Sequence, residues 1–148
     1  MIKSIQMIAL ATVLCLTAAP AYAQRAGIEW ETLNQEVTEL YRAGKYDRAV
    51  VVAKKALEVA EKNVGLNHPD VAMSLNNLAR LYDTQGQYAQ AERLYKRSLA
   101  IWEKALGPDH PDVATSLNNL AVLYRATKRI EEAEKLEERA ARIRAVRR

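Results

Sequence analysis

His68 and His110 are the side chains in this sequence best suited to acid–base or metal chemistry, because an imidazole titrates near neutrality and is a common metal ligand. Each has an aspartate two residues on, Asp70 and Asp112. Their setting points elsewhere. Both histidines open the same pentapeptide, His-Pro-Asp-Val-Ala, at 68–72 and again at 110–114. Proline suits the first turn of a helix, and an acid just behind it faces the positive helix end, worth about 0.3–1 kcal/mol. Helix initiation therefore accounts for both motifs, and no third ligand is spaced to complete a metal site. There is also no Gly-rich phosphate loop and no nucleophile with a spaced base. The expectation is a protein without catalytic residues, metal or cofactor, with an enzyme as the rival from a different class.

A second group is amidic. Asn76-Asn77 and Asn118-Asn119 recur within Ser-Leu-Asn-Asn-Leu-Ala at 74–79 and 116–121. Asparagine is a poor helix former, so four of them in mid-helix cost stability unless their amides bond to something. A bound peptide and a neighbouring helix are both open as that something.

These residues are placed by a repeat of 42 residues. Gly44, Gly65, Gly86 and Gly107 fall 21 apart, so each unit holds two elements with a turn after each. Between turns the apolar spacing is helical: Leu75, Leu78, Ala79 and Tyr82 step by three or four, as do Tyr88, Ala91, Leu94, Tyr95, Leu99 and Trp102. The first unit is fainter, yet Leu33-Asn34, Gly44, Tyr46, Ala49, Leu57, Gly65 and His68 keep the period. Three antiparallel helix pairs are expected, at about 28–68, 69–110 and 111–148. Leu40-Tyr41 would match Leu81-Tyr82 better with a one-residue gap, which leaves the first register open.

The first residues are of another kind. Lys3 precedes a mostly apolar run from Ile5 to Thr17, and Ala21-Tyr22-Ala23 puts small residues at both cleavage positions. The run is shorter than the ~20 residues a spanning helix needs, so residues 1–23 read as a secretory signal cleaved after Ala23, with no integral membrane segment left. Lipoprotein processing at Cys15 is disfavoured by bulky Leu14. Cys15 is the only cysteine and leaves with the signal, so the mature part holds no disulfide. Removing Lys3 leaves 21 basic against 18 acidic residues, an excess too small to imply nucleic acid. The location expected is periplasmic or secreted.

Leu78-Ala79, Tyr82, Gly86, Tyr88, Ala91, Tyr95 and Ser98 follow the spacing of the tetratricopeptide repeat. The 42-residue unit, with Leu106 to Ala114 as its loop and helix start, resembles the kinesin light chain type. That resemblance implies an all-α, right-handed solenoid of three stacked helix pairs that binds a protein or peptide partner, without carrying over a motor role. It places Ala79, Ala91, Ala121 and Ala133 where paired helices approach closely. It also implies a concave groove lined by the first helix of each pair: Asn34 and Thr38, then Met73, Asn76, Arg80 and Asp83, then Thr115, Asn118, Val122 and Arg125. In that type such asparagines contact the peptide backbone, which assigns Asn76 and Asn118 to the groove and leaves Asn77 and Asn119 structural. Arg80 and Arg125 either favour an acidic ligand or lie on a solvated face.

The third unit departs from the pattern. Lys128 replaces the turn glycine, and Glu137, Ala141 and Arg144 stand for Tyr95, Leu99 and Trp102, as suits an end with no neighbour to cover it. The tail runs from Glu131, Glu132, Glu134, Glu137 and Glu138 to Arg139, Arg142, Arg144, Arg147 and Arg148. That order complements a helix dipole, and the alternative is an anionic surface held by the arginines. The expected function is an exported adaptor. The rival role is a structural subunit docked into a cell-envelope complex or onto a copy of itself.

Overall fold

A computed structural model describes residues 24–146. The expected signal over 1–23, together with Cys15, Arg147 and Arg148, lies outside the described residues. Within them the chain is all-α: α1 (residues 24–42), α2 (Tyr46–Val64), α3 (Pro69–Thr84), α4 (Tyr88–Leu106), α5 (Pro111–Ala126) and α6 (Ile130–Ala145). Among the described residues no helix is long and apolar enough to cross a membrane.

The histidines do what helix initiation asks. His68 caps α3 and His110 caps α5, each Nδ1 accepting the backbone N–H two residues on at 3.2 Å, with Pro69 and Pro111 in the first turn.

The breaks differ from simple left-handed caps. Gly65 and Gly107 combine φ of 83° and 89° with ψ of 166° and 157°, a region essentially reserved for glycine. The turns inside each pair are of another type. Lys45 N–H reaches back to Leu40 O, Gln87 to Tyr82 O and Arg129 to Tyr124 O, while Gly44, Gly86 and Lys128 bond to Tyr41, Asp83 and Arg125. These are Schellman motifs in one register, with φ of 69°, 73° and 62° at the left-handed position. Leu40 is thus the counterpart of Tyr82 and Tyr41 that of Asp83, and the first repeat needs no gap.

The core is continuous along the stack. Val37 and Leu40 of α1 meet Ala49, Val50 and Ala53 of α2 and Leu78 and Leu81 of α3. Farther along, Ala79, Ala91, Tyr95, Leu120, Ala121 and Ala133 pack together. Ala79, Ala91, Ala121 and Ala133 are all fully buried, the small residues that let helix axes approach closely. At the far end the substitutions are polar: Glu137 binds Arg125 through both carboxylate oxygens at 2.6 and 2.7 Å.

A candidate partner-binding face

The first helices of the three pairs, α1, α3 and α5, lie side by side, tied by amides. Asn77 Nδ2 donates to Asn34 Oδ1 at 3.0 Å, and Asn119 Nδ2 donates to Asn76 Oδ1 at 2.9 Å. Asn34 also donates to its own helix at Trp30 O. Among the described residues the ladder runs as far as Asn118. With its amide oxygen turned outward it accepts from the Arg144 guanidinium at 3.0 Å. Arg144 of α6 thus occupies, for Asn118, the bonding position that Asn119 takes for Asn76. Asn77 and Asn119 are the bridging donors of the ladder, and Asn34 and Asn76 its acceptors. Asn34, Asn76 and Asn118 offer their carbonyls to neighbouring residues, and Asn76 keeps its own N–H groups unpaired among the described residues.

The other candidates divide by what surrounds them. Met73 and Val122 are large apolar side chains left 43% and 60% exposed. Thr115 is exposed and donates to Pro111 O, while half-buried Thr38 donates to Asn34 O. Arg80 stacks its guanidinium over the Tyr41 ring at 4.4 Å, across the first repeat boundary. Burial raises the Asp83 carboxyl above the ordinary aspartate value. Arg125, its repeat counterpart, is engaged by Glu137. In the tail, Arg139 pairs with Glu103 at 2.6 Å and Arg142 with Glu138 at 3.9 Å, so the three described arginines all face partners within the chain.

Three of the candidates meet at one place. Met73, Asn76 and Thr115 line a pocket of 160 Å³ that Trp102, Asp112 and Ser116 complete. The last three carry no groove assignment from the sequence. Asp112 reads there as a helix-dipole charge and Trp102 as core, and Ser116 is visible only as a repeated letter. A larger cleft of 430 Å³ between α1 and α2 carries charges of both signs, with Arg25, Lys55 and Lys62 against Glu29 and Glu58, and none of the candidates lines it.

The tetratricopeptide repeat family model matches residues 38–103 and 84–145, which together take in most of the chain. The chain belongs to the tetratricopeptide repeat family. Repeats of this family generally mediate protein–protein interaction. Among solved structures, this tetratricopeptide repeat chain is similar to BtubC (BKLC) from P. vanneervenii, with 28% identity and a TM-score of 0.74 over 78% of this chain and 46% of that one. It is also similar to a putative kinesin light chain of Podospora anserina with nearly identical TPR-like repeats, with 28% identity and a TM-score of 0.71 over 78% of this chain and 55% of that one. The tetratricopeptide domain of Arabidopsis FLU, at 20% identity and a TM-score of 0.69 over 81% of this chain and 98% of that one, shares the fold. The RxLR effector protein SFI4 of Phytophthora infestans (strain T30-4) is 37% identical over 59 residues, which is 40% of this chain and 17% of that protein. The chain thus spans about half of the first two structures and a small part of the effector.

Proposed function

We propose that this tetratricopeptide repeat chain is an exported, non-enzymatic adaptor that binds a protein or peptide partner along the face formed by α1, α3 and α5. The observation that carries the reading is the exposure of Met73 and Val122 beside the amide ladder. Exposed apolar side chains rimmed by amides are what an extended peptide uses, through backbone hydrogen bonds and side-chain contacts. Asn34, Asn76 and Asn118 flank that path, and Arg80 and Thr115 stand at its edges. Export to the periplasm or beyond rests on Lys3, the apolar run from Ile5 and Ala21-Tyr22-Ala23.

Met73→Glu combined with Val122→Glu tests the face without touching the ladder, since both side chains are exposed. Affinity capture from a cell-envelope extract should retain a protein on the parent chain and lose it on the double variant, with helicity unchanged. Equal retention by both would move the interface off this face. Export is tested separately by sequencing the N-terminus of the protein recovered from the periplasm, which should begin at Gln24.

A further inference from the structure

The two repeat boundaries handle the same serine differently. At the first, Trp30 Nε1 of α1 donates to Ser74 Oγ at 2.8 Å, and Ser74 Oγ donates to Asp70 O at 2.9 Å. At the second, the counterpart Ser116 is 2% exposed and its Oγ has no partner among the described residues. The reason lies 42 residues beyond Trp30, where α3 carries Ala72, too short to reach. Bulk is restored from another helix, because Trp102 of α4 replaces Ala60 of α2, but no hydrogen bond joins its indole to Ser116. The exchange conserves volume and loses a donor. Ser116 is also among the residues that line the 160 Å³ pocket, with its unpartnered Oγ buried behind that wall.

Its chemistry is one-sided. Among the described residues that line it, Asp112 alone is charged. Among the described residues no lysine or arginine pairs with that carboxylate; its neighbour is His110, whose Nδ1 lies 3.5 Å from the carboxylate and accepts the Asp112 N–H. Trp102 supplies an aromatic wall and Met73 a soft apolar one. A buried hydroxyl without a partner, a carboxylate without a lysine or arginine beside it and an indole together suit an ammonium group on an aliphatic stem. The volume is below the ~300–1,000 Å³ of sites for whole small molecules and is of the order of a cavity that takes one benzene-sized group. It has room for one side chain.

The geometry points to a lysine side chain of the partner protein as the occupant of this pocket. The assignment rests on the adaptor reading and gives that face a basic anchor point, in contrast to the acidic ligand that Arg80 and Arg125 would favour. Its stem lies against Met73 and Trp102, and its ammonium donates to Ser116 Oγ and Asp112.

The test is an NMR titration of the purified protein with three probes: the N-acetyl methylamides of lysine, norleucine and glutamate. The lysine probe should move the Trp102 indole and Ser116 amide signals saturably and leave the Trp30 indole in place. Norleucine should bind about tenfold more weakly, the factor one charge-assisted contact carries, and glutamate weaker still. Asp112→Asn should erase the preference for lysine over norleucine, and Ser116→Ala should weaken the lysine probe several-fold, both with unchanged helicity. Equal binding of lysine and norleucine, or no movement of the Trp102 indole with any probe, overturns the assignment. Should a partner still be captured through Met73 and Val122 in that case, the adaptor reading survives and the lysine anchor alone falls.

Discussion

Asn119 donates its amide to Asn76 at 2.9 Å across the boundary between the second and third repeats, and the same bond joins Asn77 to Asn34 across the first. One amide side chain thus offers a carbonyl to a neighbouring helix while remaining on the face open to a partner. The asparagines that cost helix stability are used to register one repeat on the next.

Asn119→Ala should destabilise the fold by about 1 kcal/mol, the net value of a hydrogen bond of this kind. Asn76→Ala should cost a similar amount, and the double variant should cost clearly less than their sum because both remove one bond. Chemical denaturation of the four proteins measures the coupling. Full additivity would mean that the bond contributes nothing.

Lys128 occupies the left-handed position of the third Schellman turn at φ 62°, where the first two repeats have Gly44 and Gly86. Lys128→Gly should stabilise the protein by about 1 kcal/mol, the conformational cost removed there. The corresponding Gly86→Lys should destabilise by a similar amount. Thermal melts of both variants give the two signs.

Gly107 has a stricter requirement, since its φ of 89° with ψ of 157° lies outside what a side chain adopts readily. Gly107→Ala should cost about 1–3 kcal/mol even though an added methyl meets no atom within 4 Å. A variant as stable as the parent would show that the loop re-forms around an ordinary conformation.

Glu92 joins the second and third repeats. Burial works to raise its carboxyl, but hydrogen bonds from Lys96, Arg129 and Tyr124 outweigh it and hold the pKa at about 2, against 4.5 for a free glutamate. A folded-state value below the unfolded one means the stabilisation is complete above pH 4.5 and is lost as pH falls toward 2. Glu92→Gln should therefore lower the melting temperature at pH 7, with the difference from the parent shrinking through that window. A constant difference down to pH 2 would assign the loss to packing.

Much of the architecture was legible in the residues. The 42-residue period in Ser-Leu-Asn-Asn-Leu-Ala and the glycine spacing specify helices, turns and three pairs, because helical periodicity and turn chemistry are local properties of the chain. The helix-starting role of His68 and His110 was legible for the same reason: the cap bond closes within two residues. The register of the first repeat was not, since Leu40-Tyr41 reads well in two alignments and only the backbone bond from Lys45 to Leu40 decides between them.

The face was legible as a stripe of residues, but the state of each member was not. That Arg125 is held by Glu137, that Asn118 accepts from Arg144, and that Arg80 stacks on Tyr41 depend on contacts between helices. The pocket is the clearest case. Trp30 and Ala72, Ala60 and Trp102, Ser74 and Ser116 can all be paired by the period, yet whether a tryptophan on α4 reaches the serine that one on α1 reaches depends on direction and distance in three dimensions. The sequence by itself determined the repeat, its helices and the face they share, because those follow from local periodicity. Only the tertiary structure decided which polar atoms on that face remain without partners, because a hydrogen bond between repeats requires two groups to meet within about 3 Å, at an angle no spacing records.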